Sequence, residues 1–174
     1  MIIFLLTSIV EISYFLKKND KFKHIFSKKI LTNLYKDSFF YISLIISIVA
    51  LLCWRYFEIP NKDYNLHLNS WLEKIFLAFS FAFFNAFLEE VIFRKYFLKS
   101  FLNFFTQNIS IINQAILFGL IHYNGIPSGL LGITLASIYG FIMGKLSMKY
   151  NGNLLPPIIH HFIIDIVVFI LTNV

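Results

Sequence analysis

Glu89, Glu90, Arg94, His122, His160, His161 and Asp165 lie within or at the ends of apolar stretches in the C-terminal half of the chain. A charge buried in a membrane span costs about 2.5 to 3.5 kcal/mol on insertion scales, so each of these groups is a candidate for function. Helix geometry decides which of them meet locally. Residues four apart share a face, which pairs Glu90 with Arg94, Phe118 with His122 and His161 with Asp165. Glu89 and Glu90 differ by about 100° around a helix, so one carboxylate can pair with Arg94 while the other points elsewhere. His160 and His161 likewise cannot share a face, which leaves one of them as a bystander or a hydrogen-bonding partner. A carboxylate shielded by apolar helices can act as a general base toward water held by imidazoles. Two histidines and a glutamate are also an accepted zinc set with an open position for water. Either arrangement activates a water molecule, and both point to hydrolysis inside a membrane.

The elements that must position these groups are membrane helices. The chain has 174 residues, 58% hydrophobic, 19% aromatic and 14% charged, with a mean hydropathy of +0.73. A soluble domain is about a quarter charged, so a soluble globule is excluded. A hydrocarbon core about 30 Å thick needs roughly 20 apolar residues in helical form. Six stretches approach that length: Met1 to about Leu16, Ser38 to Phe57, Trp71 to Phe93, Ile109 to Tyr123, Ser128 to Met148, and Leu154 to Val174. The fold expected is all-α, a polytopic transmembrane bundle of about six spans. Residues 1–70 form N-terminal anchor spans with a basic cytoplasmic loop, and residues 71–174 form the core. The first stretch lacks the basic leader and small-residue cleavage site of a secretory signal, and reads as a retained anchor. Residues 94–105 read as a helical continuation lying at the interface.

The net charge of +6 follows the same plan. Lys17, Lys18, Lys21, Lys23, Lys28, Lys29 and Lys36 fall between spans one and two; Arg94, Lys95 and Lys99 follow span three; Lys145 and Lys149 close span five. The intervening loops carry little or balanced charge, so the positive-inside rule puts both termini outside. The same placement fits anionic headgroups and excludes a nucleic-acid groove. Ser128, Gly132, Ala136, Gly140 and Gly144 make a small-residue face on span five, which is expected to be the central helix of the bundle. Cys53, the one cysteine, lies in an apolar run and reads as a small buried hydrophobe, with no disulfide and no thiolate cluster.

Depth brings the ionisable groups together. At 1.5 Å per residue, Glu89 lies about 8 Å from Arg94 along the span, His161 about 10 Å along span six, and His122 roughly 20 Å from the inner start of span four. All three reach the inner half or middle of the bilayer. Singly, each has a structural reading: Glu90 and Arg94 as an interfacial ion pair, His122 beside Tyr123 as a satisfied histidine at a helix end. A proton or metal transporter also uses intramembrane Glu, His and Asp, but it needs a polar path through both leaflets, whereas the outer parts of spans three and six are apolar.

Three motifs in this order resemble a known family. Glu89-Glu90-Val-Ile-Phe-Arg94 is similar to EExxxR, Phe118-Gly-Leu-Ile-His122 to FxxxH, and His161-Phe-Ile-Ile-Asp165 to HxxxN/D. These are the motifs of the CPBP intramembrane proteases, which include type II CAAX prenyl endopeptidases and the bacteriocin-processing or immunity (Abi) proteins. The resemblance covers about Leu72 to Val174. It implies that Glu89 is the general base, that His122 and His161 orient the water or, with Glu89, bind Zn2+ if a metal is used, and that Glu90 pairs with Arg94. Asp165 takes a position often held by asparagine, where the side chain stabilises an oxyanion. An ionised Asp165 would repel that charge, so it must be protonated or neutralised by a neighbour such as His161. His160 receives no role.

The function this implies is cleavage of a peptide bond in a membrane-associated peptide or lipidated protein, near the cytoplasmic leaflet. CAAX-type and bacteriocin or leader-peptide processing both fit. The alternative is a non-enzymatic immunity or accessory protein on the same scaffold. Richness in Ile, Phe, Asn and Lys suggests a bacterial plasma membrane.

Overall fold

The computed structural model describes residues 28–57 and 70–173. The expected first span and the loop at 58–69 lie outside the described residues. The chain divides into two compact units, residues 1–36 and 37–174. In the first, the described residues form a two-turn helix, α1 (Lys28–Tyr35).

The second unit shows no strand among its described residues and is built of five long helices, α2 (Ser38–Phe57), α3 (Trp71–Glu90), α4 (Gln107–Ile121), α5 (Gly129–Lys149) and α6 (Leu155–Asn173), with a short 3-10 turn, His122–Asn124, after α4. Helix α3 runs on without interruption through a π-helical segment, Val91–Leu98, and a last turn, Lys99–Phe101. Each start has a local cause. Asp37 Oδ1 accepts from the backbone N–H groups of Phe39 and Phe40 at the head of α2. Ser70 and Glu73 form a reciprocal capping box at the head of α3, which satisfies two N–H groups that have no helical partner. Asn153 accepts from the N–H of Leu155, and Pro156 and Pro157 sit in the first turn of α6, where a missing N–H costs nothing. Between α5 and α6 the chain reverses through Asn151 and Gly152, both at positive φ, and the Gly152 N–H returns to the Ser147 carbonyl at 2.9 Å. Glycine is the residue that adopts this left-handed turn without a Cβ clash.

Among the described residues, four helices are long and apolar enough to cross a bilayer: Ser38–Phe57, Trp71–Phe101, Gly129–Lys149 and Leu155–Thr172, with mean hydropathies of 1.9, 1.8, 1.5 and 1.9. Large apolar side chains such as Ile42, Ile45, Phe76, Phe79 and Leu130 are exposed on them, a surface suited to acyl chains rather than water. The protein is an integral membrane protein. Helix α4, the expected fourth span, has 15 residues, about 22 Å at 1.5 Å per residue and short of a full crossing.

Packing is organised in pairs. Helix α4 lies on α5, and α3 lies on α6. The small residues of α5 face chiefly α4, while α5 as a whole also touches α2, α6 and the π-helical segment, as expected of the central helix of the bundle. A Cβ at Gly140 would stand 3.1 Å from Phe118 Cβ and 3.2 Å from Ala115 Cα, and one at Gly119 would stand 2.6 Å from the Ile133 carbonyl. The two backbones approach closely because these positions lack side chains. On α3 the buried face is Ala78, Ala82, Ala86 and Glu90, a second small-residue stripe that ends in a carboxylate. Leu51, Trp54 and Ile164, with Leu44, Leu135, Tyr139 and Val168 around them, join α2 to α5 and α6. Cys53 is exposed rather than buried. The buried face of α2 runs through Phe40, Ser43, Ser47, Leu51 and Trp54, and Cys53 falls off that line.

Candidate active site

Glu89 and Glu90 close α3 where it passes into the π-helical segment, a wider turn often found at functional sites. Their side chains diverge as the 100° rotation requires. Glu90 is fully buried. Its Oε1 forms an ion pair with Arg94 Nη1 at 3.1 Å and accepts a hydrogen bond from His161 Nδ1 at 2.8 Å. Glu89 points to the other side. Its Oε2 stands 3.7 Å from His161 Nε2 and 4.0 Å from His122 Nε2, and this buried oxygen has no hydrogen-bond partner among the described residues.

The partners decide how the two imidazoles are protonated at Nδ1. A backbone carbonyl only accepts, so His122 Nδ1, 2.7 Å from the Phe118 oxygen, carries a proton. A carboxylate likewise accepts from His161 Nδ1. Both Nε2 atoms are thus turned toward Glu89. His161 Nε2 also lies 3.5 Å from Asp165 Oδ1, and Asp165 Oδ2 accepts from the Asn85 amide at 3.1 Å.

Arg94 is nearly fully buried and is held from three sides. Beyond Glu90, its Nη2 donates to the Gly140 carbonyl at 3.3 Å, and its guanidinium lies 4.8 Å over the Phe118 ring. Gln114 donates to the same carbonyl at 2.8 Å. Gly140 thus does two things, admitting α4 and offering an open carbonyl to two buried donors. The chain Gln114, Gly140, Arg94, Glu90, His161 ties α4, α5, the end of α3 and α6 into one polar assembly.

A cavity of about 120 Å³ opens beside it, with His122, His161 and Asp165 among its lining residues. The rest of its wall is mostly aliphatic, including Ile46 from α2, Leu135 and Ile142 from α5, and Val168 from α6.

The structure therefore brings together Glu89, Glu90, Arg94, His122, His161 and Asp165, all of the residues singled out by spacing. His160 points away, with its ring between Ser43 and Tyr139. Three participants were missed. Asn85 had a signal, being a polar residue in a Phe-rich span four positions before Glu89 and so on its face. Gln114 had a weaker one, four positions before Phe118. Tyr139 had none, because an aromatic residue is unremarked in so aromatic a chain.

Whether Glu89, His122 and His161 fit a metal can be tested on their spacing. Neighbouring ligand atoms in a tetrahedral zinc shell with bonds near 2.0 to 2.1 Å stand about 3.3 to 3.4 Å apart. The separations of 3.7 and 4.0 Å are wider, and no group of three or more His, Cys, Asp or Glu among the described residues is arranged to hold a metal ion. The donor types suit zinc; their spacing in this arrangement does not, and no step below runs through a metal.

Comparison with known proteins bears on the same segment. No curated protein and no solved structure matches the chain. Residues 70–167 match the family model described as type II CAAX prenyl endopeptidase Rce1-like. That segment begins at the cap of α3 and ends two residues past Asp165, so it contains every member of the buried cluster. With more than half of its length matched, the chain belongs to the Rce1-like family of type II CAAX prenyl endopeptidases.

Proposed function

We propose that the protein is an intramembrane endopeptidase that hydrolyses a peptide bond of a membrane-associated peptide or lipidated protein, with Glu89 as general base. The observation that carries this reading is the buried, unpartnered Glu89 Oε2 facing two imidazole Nε2 atoms at 3.7 and 4.0 Å. Those separations suit a water between them. His122, protonated at Nδ1, offers an Nε2 lone pair. A water donating one hydrogen to Glu89 and the other to His122 has its own lone pair free to attack a carbonyl carbon.

As the new carbon–oxygen bond forms, Glu89 takes the water proton. It then returns that proton to the amine nitrogen as the carbon–nitrogen bond breaks. A proton held on His161 Nε2, between Glu89 and Asp165, supplies a donor for the oxyanion. Asp165, fixed by Asn85, holds that proton in place rather than meeting the oxyanion with a bare charge. Glu90 and Arg94 orient His161 through its Nδ1. The aliphatic cavity wall suits an apolar segment of a CAAX-type or leader-type substrate, and a bacterial plasma membrane is the setting its composition favours.

Glu89→Ala, in a full-length protein supplied with a reporter peptide anchored in the membrane, should reduce cleavage by about 10²- to 10⁴-fold, the range for loss of a general base. Membrane insertion should be unchanged. Cleavage at the wild-type rate would overturn the assignment.

A further inference from the structure

His160 is fully buried, adjoins a candidate catalytic residue, and takes no part in the reaction above. Its surroundings are nonetheless specific. Nε2 lies 3.2 Å from Ser43 Oγ on α2, and Nδ1 lies 3.2 Å from the Tyr139 hydroxyl on α5. The direction of these bonds follows from hydrogen counting. Ser43 has one hydroxyl hydrogen and donates it to the Phe40 carbonyl at 2.9 Å. Its oxygen can therefore only accept, so His160 Nε2 is the donor. In a neutral imidazole the other nitrogen is then an acceptor, and Tyr139 donates to Nδ1. Phe40 stands edge-on to the His160 ring at 5.4 Å and 86°, which limits its rotation.

The far side of Tyr139 meets the candidate site. Its ring packs at 5.3 Å and 70° against the ring of His161, and Phe118 meets the same imidazole at 6.0 Å and 67°. Glu90 holds His161 at one atom, Nδ1, and a single hydrogen bond leaves a ring free to swing about it. The aromatic faces remove that freedom, and the position of Tyr139 is set by the bond from its hydroxyl to His160. A ring that swings carries Nε2 away from its place beside Glu89 Oε2, and donation to an oxyanion is sensitive to such displacements.

We propose that His160 is a positioning residue: held by Ser43, it fixes Tyr139 so that Tyr139 keeps the His161 imidazole aligned with Glu89. Ser43 lies outside residues 70–167, so the alignment depends on α2, a helix beyond the matched family segment. The catalytic consequence rests on the hydrolytic reading above, while the structural link stands without it.

The test uses the full-length protein in detergent or lipid, with the variants His160→Phe, His160→Gln, Tyr139→Phe and the double variant His160→Phe/Tyr139→Phe. His160→Phe keeps a ring of similar size and removes both hydrogen bonds. Gln retains a donor and an acceptor at its amide, and Tyr139→Phe removes a single oxygen, so it folds even if His160→Phe does not. The expected result is a fall in kcat of about tenfold or more for Tyr139→Phe and His160→Phe, with KM within about twofold. The double variant should lose no more than either single one, and His160→Gln should recover most of the rate. Losses that multiply in the double variant, or that appear in KM alone, would overturn the proposal.

Nuclear magnetic resonance of ¹⁵N-labelled histidines separates this proposal from the activity. It should find His160 protonated at Nε2, and Tyr139→Phe should shift the ring signals of His161. An unmoved His161 signal would sink the link even with cleavage abolished by Glu89→Ala. A shifted signal, with cleavage unaffected by Glu89→Ala, would instead retire the hydrolytic reading and leave the link standing.

Discussion

Among the described residues, two clusters of polar and charged groups that join helices differ in how completely their hydrogen bonds are met. At the junction before α2, Asp37 has partners on both oxygens. Oδ1 accepts from Lys149 at 2.6 Å and from the N–H groups of Phe39 and Phe40, and Oδ2 accepts from Tyr150 at 2.8 Å. Burial alone would raise the Asp37 pKa, but the bonds from Lys149 and Tyr150 outweigh it and hold the carboxyl below its ordinary range. The cluster around His161 has more charged groups and meets fewer of their needs. Among the described residues, Glu89 Oε2, Glu90 Oε2, Arg94 Nε and Arg94 Nη1 have no hydrogen-bond partner, although Arg94 Nη1 lies within ion-pair distance of Glu90. Buried polar atoms are nearly always satisfied in native proteins. A saturated cluster is the mark of a structural tie, whereas an unsaturated one is the mark of a place where a further molecule does the pairing.

The contrast is broken or sharpened by removing one group at a time. The largest effect belongs to Arg94→Met, which leaves Glu90 as a buried carboxylate without its cation. Breaking such a pair costs about 3 to 5 kcal/mol, so thermal unfolding in detergent should shift sharply downward and cleavage should be lost with it. Full stability would mean that the cluster tolerates an unpaired charge and does not differ in kind from the Asp37 tie. A smaller effect is expected from Asp37→Ala, which removes the acceptor for Lys149, Tyr150 and the head of α2. Leaving the Tyr150 hydroxyl and the two N–H groups unmet costs about 1 to 3 kcal/mol, with kcat of the surviving protein close to wild type. A selective fall in kcat would put Asp37 in the same class as the Glu89 cluster.

The smallest effect is in the acid range. Because the folded-state pKa of Asp37 is depressed, its contribution to stability is fully present above the ordinary carboxylate value. It is lost as pH falls through the folded value. The stability difference between wild type and Asp37→Asn should be flat from pH 8 to about 5 and should narrow only below about pH 4. A difference that fades already near neutrality would contradict the saturated description of this tie. Lys149 is half exposed, so salt should weaken the difference further.

Legibility in the sequence followed the range of the interactions. Glu90 with Arg94, the divergence of Glu89 from Glu90, and the opposed directions of His160 and His161 are consequences of helical rotation, and the structure reproduces all three. The approach of α4 to α5 was visible in Gly140 and Gly144 because a missing side chain is a local fact about shape. The central place of α5 was legible for the same reason, and it touches α4, α2, α6 and the π-helical segment. Cys53 went wrong for a different reason: an apolar run in a membrane helix has no inside marked on it, since lipid and protein interior accept the same side chains. The short reach of α4 was foreshadowed by its length, and its 15 residues leave it packed along α5.

What the sequence determined by itself is the membrane-helical class of the chain, the approximate spans of its helices, and the pairs of ionisable residues that share a helix face. Hydropathy and i to i+4 spacing both act over a few residues. Which atoms face which was decided only by tertiary packing. That His161 gives Nδ1 to Glu90 and turns Nε2 toward Glu89 and Asp165, that Asn85 holds Asp165, and that His160 reaches Ser43 and Tyr139 depend on how α2, α3, α5 and α6 dock. A hydrogen bond is directional over about 3 Å, and no spacing along one helix determines the rotation of another against it.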